Sequence, residues 1–296
     1  KEIIKDAQKY IPEFLENIIE KNLTCLNFIK CPNNQLPLFN GASENFLDQL
    51  DEHLNTLTIK KNITNVIGGL YKFKQRNHIV FFDVGQPPKK SFSKCYQAGP
   101  LSFEYYLDGV KIVSNSGFGN NISNKAELLS RLTACQSTLT LNDTSVSKFE
   151  RNKLINRVFG NSIKNNFKTY NLNINNESNL ISCSAEHNGY EKNFGCIHKR
   201  EIFLDKEYNF LKGSDHIFKR KDGIPIRYVF RFHINPELSV VKTMSGNSAL
   251  IKLSKNKSLI FTVNDEALKL EKSIFLGKKK ILDNTCITIS GNLVNK

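Results

Sequence analysis

Residues 94–119 read KCYQAGPLSFEYYLDGVKIVSNSGFG, and residues 130–143 read SRLTACQSTLTLND. Two apolar runs, 101–107 and 110–113, meet at Asp108-Gly109. A two-residue hairpin turn needs positive φ at both central positions, and Asp-Gly supplies them, so this stretch predicts a tight β-hairpin. Around it stand Cys95, Gln97, Asn115, Arg131 and Gln136, polar residues for which a hairpin has no need. A chemical site is to be sought here first.

Outward from the hairpin, the hydrophobic period is 2 from about residue 64 onward. Strand-like runs fall at 69–74, 78–84, 138–141, 167–174, 180–185, 196–204, 208–212 and 226–234. Five more follow, at 239–242, 249–253, 259–263, 267–273 and 281–290. Many short strands with Asx and Gly turns, among them Asp222-Gly223 and Ser245-Gly246, predict a mainly β fold: a β-sandwich or stacked antiparallel sheets. The stretch 142–166 is least regular, and 150–158 is either a short helix or an excursion loop.

Residues 1–59 have a different period. Ile3, Ile4, Ala7, Ile11, Phe14, Leu15, Ile18 and Ile19 recur at helical spacing, with Pro12 marking a kink or a late start. Pro32-Asn33-Asn34 reads as a tight turn. A second helix is expected with Ser43 as N-cap and Phe46, Leu47, Leu50 and Leu54 on its buried face. Two helices cannot enclose a core, so they must pack on an upstream segment or on the sheets. The division is therefore 1–59, helical, and 60–296, β.

Composition narrows the function classes. A chain of 296 residues can bury a large core, and no apolar run approaches the length of a membrane span. The formal charge of +14 suits an acidic partner, nucleic acid or an anionic glycan. The lysines are spread along the chain, and no RNP-like aromatic stripe, helix-turn-helix or zinc finger accompanies them, so no nucleic-acid partner is expected. Seven cysteines without a CxxC pair predict reduced, mostly buried thiols. Met244 is the only methionine, which points to a processed product or a piece of a longer chain. The first residues carry no apolar export-signal core.

Among titratable groups, His187 and His198 approach if 182–187 and 197–204 pair across the intervening loop. With Tyr190 and Arg200 nearby, two imidazoles can form a proton-transfer site, or each can satisfy local hydrogen bonds at a strand end. His233 reads as structural, and His78 and His53 as surface residues. Asp83, Glu104, Asp108, Asp143 and Glu186 form no pair by spacing, so a two-carboxylate glycosidase lacks support. HExxH, GxSxG, P-loop and GxGxxG motifs are absent.

A series of segments, in order, resembles one family. These are LPLFNG (36–41), VFFDVGQPP (80–88), QAGPLSFEYY (97–106), SNSGFG (114–119), SRLTACQSTL (130–139), EHNGYEKNFGCIHKR (186–200), KGSDHI (212–217), FRFHINPEL (230–238) and LEKSIFLG (270–277). Together they look like the C-terminal part of a heparinase II/III-like protein, from about residue 36 onward. The resemblance implies that 1–59 are the last helices of a truncated α/α toroid and 60–296 the antiparallel sheet domain. It also implies a bacterial periplasmic setting and an acidic polysaccharide partner. The reaction implied is β-elimination at a uronate, with the acid/base tyrosine and a neutralising Asn or His supplied by the toroid.

The sheet domain of the family contributes a catalytic His and, in some members, a zinc held by His, Asp and His. Matched residue by residue, the catalytic His position is Cys95, and the metal positions are Gln97, Asn115 and Gln136. Three neutral carboxamides are poor zinc ligands, so no metal and no cofactor is expected. Gln97, Asn115, Gln136 and Arg131 could instead bind a sugar, or form a self-satisfied polar network. His187, Tyr190, His198 and Arg200 match the family's HxGY…HxR segment and are the remaining catalytic candidates. The function expected is a polysaccharide lyase region, inactive by itself. The alternative is a non-catalytic glycan-binding or envelope-assembly protein with a degenerate site.

Overall fold

The computed structural model describes residues 12–44, 65–164, 167–220, 225–264 and 266–293. The Asp108-Gly109 turn has φ of 51° and 82°, the two positive values of a type I′ turn, and it joins β4 (Phe103–Leu107) to β5 (Val110–Ser114). Ahead of this hairpin come β1 (Val66–Ile67), β2 (Leu70–Gln75) and β3 (His78–Asp83). After it come β6 (Leu139–Leu141), β7 (Thr169–Asn176), β8 (Leu180–Tyr190), β9 (Cys196–Asp205) and β10 (Phe210–Lys219). Next are β11 (Ile226–Ile234), β12 (Ser239–Lys242), β13 (Ser248–Lys252), β14 (Ser258–Thr262), β15 (Leu268–Phe275) and β16 (Leu282–Leu293).

All pairings among these strands are antiparallel and build three sheets. The largest has nine strands in the order β1-β2-β3-β4-β5-β11-β16-β15, with β6 also on β11. The second is β10-β9-β8-β7 and the third β12-β13-β14. Inward residues of all three meet in one core, including Phe103 and Phe232 from the first, Ala185 and Ile202 from the second, and Ile251 from the third. The mainly β, stacked-sheet architecture expected from period 2 is the one observed. The departures are small: β8 continues to Tyr190 and β10 to Lys219 where the sequence reading stops at 185 and 212, and β1 has no counterpart in that reading.

Helix α1 (Glu13–Ile29) begins directly after Pro12, the late start that proline imposes. Of its side chains only Phe28 is buried, against Phe81, while Phe14 and Ile18 are exposed. The Lys72 ammonium donates to the carbonyls of Phe28 (2.7 Å) and Lys30 (3.2 Å) and lies 4.9 Å from the Phe81 ring centroid. A cation at a helix C-terminus is favourable, and this one fixes α1 to the sheet. The expected turn at 32–34 is present, with Asn34 at φ 57°. The predicted second helix from Ser43, the Asp222-Gly223 turn, His53 and the apolar positions before Pro12 lie outside the described residues.

Among the described residues three short α-helices follow: α2 (Asn124–Ser130), α3 (Lys153–Phe159) and α4 (Glu191–Phe194). Helix α3 settles the irregular stretch, capped by the Asn152 carboxamide on the amides of Leu154 and Ile155. Gly117 has φ 82°, and a Cβ there would stand 2.6 Å from the Gly277 Cα, so only glycine lets these backbones pass. That close approach brings the 115–119 loop to the ends of β15 and the 36–44 segment.

Candidate functional site

The three carboxamides do converge. Gln97 and Gln136 both donate through Nε2 to the Ser130 carbonyl, at 2.9 and 2.8 Å. Gln97 Nε2 also donates to the Gly117 carbonyl (3.1 Å), and its Oε1 accepts from the Gly41 amide (3.1 Å). Asn115 Nδ2 donates to the Leu38 carbonyl (3.2 Å), and its Oδ1 accepts from the Ser137 amide (2.9 Å). All three side chains are buried. Each amide is oriented by backbone partners of fixed polarity. The cluster pins the 38–41 strap across the hairpin.

This donor set does not fit a divalent cation. The carboxamide oxygens of Gln97 and Asn115 already accept backbone amides, and none of the three side chains carries negative charge to offset an ion. Glu104, whose carboxylate accepts the Asn115 amide, is committed as well. Its oxygens accept from Ser114 Oγ (3.2 Å), the Asn115 amide (3.2 Å) and the Tyr106 hydroxyl (3.0 Å), with Lys111 Nζ at 3.6 Å. No cluster of three or more His, Cys, Asp or Glu able to hold a metal occurs among the described residues.

Arg131 lies fully buried beneath this region. Its Nε donates to the Tyr96 carbonyl (2.8 Å), Nη1 to Asn161 (2.5 Å) and Nη2 to Ser93 (2.7 Å), and the guanidinium stacks 4.1 Å from the Phe149 centroid. Burial lowers its pKa to about 10. Cys95 is the one member of this group that reaches the surface, beside Gly41. All seven cysteines are free thiols, and four of them are buried.

The second constellation lies between the four-stranded and nine-stranded sheets. His187 and His198 are directly paired across β8 and β9, the approach expected from the hairpin reading. The Gly189 amide donates to His187 Nδ1 (3.1 Å), so the network places the proton on Nε2. That proton is donated to His198 Nδ1 (3.2 Å), and His198 Nε2–H is donated to Asp215 Oδ1 (2.7 Å). Arg200 grips the same carboxylate, Nε to Oδ1 at 2.8 Å and Nη2 to Oδ2 at 3.1 Å. Its Nη1 crosses to the carbonyls of Leu101 and Ser137, both at 2.8 Å. Tyr190 donates its hydroxyl toward the carbonyls of Leu139 (2.9 Å) and Thr144 (3.2 Å).

Burial, reinforced by the neighbouring His198 and Arg200, holds His187 well below the usual histidine value. Burial also lowers His198, against the opposing pull of Asp215. For Asp215, burial would raise the pKa, but the Arg200 guanidinium and His198 hold it at about 2. The result is a linear chain of hydrogen bonds with defined tautomers. Its members are buried except for the partly exposed Asp215. Asp215 itself was missed in the sequence reading. Its signal was available: in KGSDHI it stands opposite Arg200 once β9 and β10 pair.

His78 corrects the surface reading: it is buried, with Nδ1 2.9 Å from the Tyr105 hydroxyl, because β3 is a central strand covered on both faces. His233 is structural, between the Ala134 carbonyl (3.0 Å) and Ser273 Oγ (3.0 Å).

Comparison with known proteins agrees with the fold. The model of a family described as "Heparinase II/III-like, C-terminal" matches residues 66–293. Heparan sulfate lyase HepC from Pedobacter heparinus superposes with a TM-score of 0.71 at 14% identity, covering 95% of this chain and 45% of that one. A structure titled heparinase III gives 0.67 at 15% identity, with 96% and 47% covered. A further heparinase III gene product gives 0.74 at 12% identity, with 96% and 45% covered. The chain thus spans about half the length of these structures, and at such identities the likeness concerns the fold. No curated protein matches by sequence. By its match over most of its length and by its stacked sheets, this chain belongs to the heparinase II/III-like family.

Proposed function

We propose that this chain is the sheet-domain part of a protein that engages acidic, uronate-containing polysaccharide, and that it supplies no proton-transfer group of its own. In this reading residues 1–59 are the closing helices of an upstream toroid. β-Elimination in the longer protein would draw its tyrosine acid/base and its carboxylate-neutralising Asn or His from there. The observation that carries the reading is the saturation of the site. Gln97, Asn115, Gln136 and Arg131 are buried and bonded to backbone, and His187, Tyr190, His198 and Arg200 are bonded to one another or to carbonyls. A general base must reach the proton it removes, and among the matched positions only Cys95 is at the surface. No metal or cofactor is required. Family membership, the +14 charge and the absence of a long apolar helix among the described residues suit a periplasmic glycan-facing protein.

The expected result is that the 296-residue chain, mixed with acidic glycans, retains them on a column yet yields no unsaturated-uronate absorbance. Appearance of that absorbance would overturn the assignment. A second reading, a glycan-binding or envelope-assembly protein without catalysis, is favoured by Cys95 at the family's histidine position. The longer protein decides between them: lyase activity lost on a toroid Tyr→Phe change supports the first, and inactivity of the unaltered protein supports the second.

A further inference from the structure

The positive charge is not uniform once the chain is folded. Residues 84–103 contain three lysines and no carboxylate, and residues 151–176 contain five basic residues and no carboxylate. These two acid-free segments lie side by side. Gln86 bonds both the amide and the carbonyl of Thr169, and Thr169 Oγ1 donates to the Gly85 carbonyl (2.8 Å). Ser93 Oγ accepts from the Ile163 amide (3.0 Å), and the Lys94 stem lies against Gly160. Arg131, from beneath, bonds the carbonyls of Ser93 and Asn161 and so ties the two together.

The surface they make is basic and also apolar at its tips. Lys89, Lys90, Lys94, Arg151 and Arg157 are exposed. Phe92 is 79% exposed, and Leu154 and Val158, one turn apart on α3, are 73% and 74% exposed. The nearby Glu150 is turned inward, taken up by the amides of Arg151 and Asn152 and by Lys164. Cys95 adjoins Lys94 at the rim.

We infer that this paired surface, 89–94 with α3, is where the acidic polysaccharide lies, the lysines and arginines facing its carboxylates or sulfates and Phe92 packing on the apolar face of a sugar ring. The inference rests on the glycan reading above and adds the address. Two adjoining acid-free segments concentrate potential that scattered lysines do not, and an exposed aromatic ring among cations suits a ligand that alternates charge with apolar ring faces.

The test uses heparin as the probe and the whole chain at about physiological ionic strength. Lys89→Glu/Lys90→Glu/Lys94→Glu should weaken binding about tenfold or more and flatten its salt dependence. Lys242→Glu/Lys252→Glu/Lys269→Glu makes the same change in net charge on exposed positions of other strands and should cost less than about threefold. Phe92→Ala should weaken binding while leaving the salt slope unchanged. Equal losses from the two triple variants overturn the surface while leaving the glycan reading intact. Failure of the unaltered chain to bind heparin sinks both. Tighter binding to phosphatidylglycerol vesicles or single-stranded DNA, lost in the first variant, would reassign the surface to that partner.

Discussion

Arg200 shows what a buried residue of a family signature does in this chain. Its guanidinium spends four hydrogen bonds, two on Asp215 of β10 and two on the carbonyls of Leu101 and Ser137, in the turns just ahead of β4 and β6. It also lies over the rings of Phe103 (5.4 Å) and Phe232 (5.7 Å). The planar fork matters as much as the charge, because lysine cannot reach four acceptors in these directions. Removing one member of a buried ion pair strands the other, which typically costs about 3–5 kcal/mol. Arg200→Met and Asp215→Asn should each lose about that much in urea unfolding, and Arg200→Lys should recover only a minor part. Losses below about 1 kcal/mol would mean that the sheets are held together by apolar packing alone. The residue was legible as special in EHNGYEKNFGCIHKR, but its partners were not. Leu101 and Ser137 meet it through backbone carbonyls, which leave no trace in residue identity.

At the scale of elements, the hairpin and nearly all strands could be read directly, because burial on one face imposes period 2 whatever the distant partners are. The role of the 36–44 strap could not. Gly41 and Leu38 are held by Gln97 and Asn115 over sequence separations of 56 and 77 residues, and the Glu44 amide bonds the Gly277 carbonyl (2.9 Å). The same three carboxamide positions could be picked out by family resemblance, yet the resemblance carried no information on what satisfied them. Here they act as a fastening made of hydrogen bonds to backbone, a set that does not suit a cation. Treatment with a chelator should therefore leave the thermal midpoint unchanged. Gln97→Ala should lower stability by roughly 2 kcal/mol, since it leaves the Gly41 amide and the Ser130 and Gly117 carbonyls with one partner fewer. Proteolysis should then cut first near residues 36–44. A chelator-induced drop in midpoint, reversed by zinc, would show that a metal supports this fastening after all.

For the whole molecule, the distribution of buried histidines sets how stability responds to acid. His187, His198 and His233 are all shifted downward, His233 to about 4 by burial, only partly opposed by its bond to the Ala134 carbonyl. In the unfolded chain each would titrate near 6.5. Below that pH the unfolded state binds protons that the folded state refuses, so stability falls as pH drops. For His233 the loss runs from about 6.5 down to about 4 and amounts to roughly 3 kcal/mol. Each histidine refusing its proton adds up to about 1.4 kcal/mol per pH unit to the slope. Asp215 acts later: with its carboxyl held at about 2, its contribution is intact above an unfolded value near 4 and is lost as pH falls from there. Asp83 works in the opposite sense, because burial raises its carboxyl to about 7 and the folded chain takes up a proton that the unfolded chain refuses until about 4. Three downshifted imidazoles outweigh this one carboxyl, so urea midpoints at pH 7, 6 and 5 should still decline. His233→Gln, whose amide can still reach the Ala134 carbonyl and Ser273, should shallow the decline by about one proton's worth. In an Asp83→Asn background, which removes the opposing carboxyl, a midpoint that stays flat from pH 7 to pH 5 would mean that these imidazoles accept protons in the folded state, and with that the hydrogen-bond chain from His187 to Asp215 would have to carry a charge it is built to exclude.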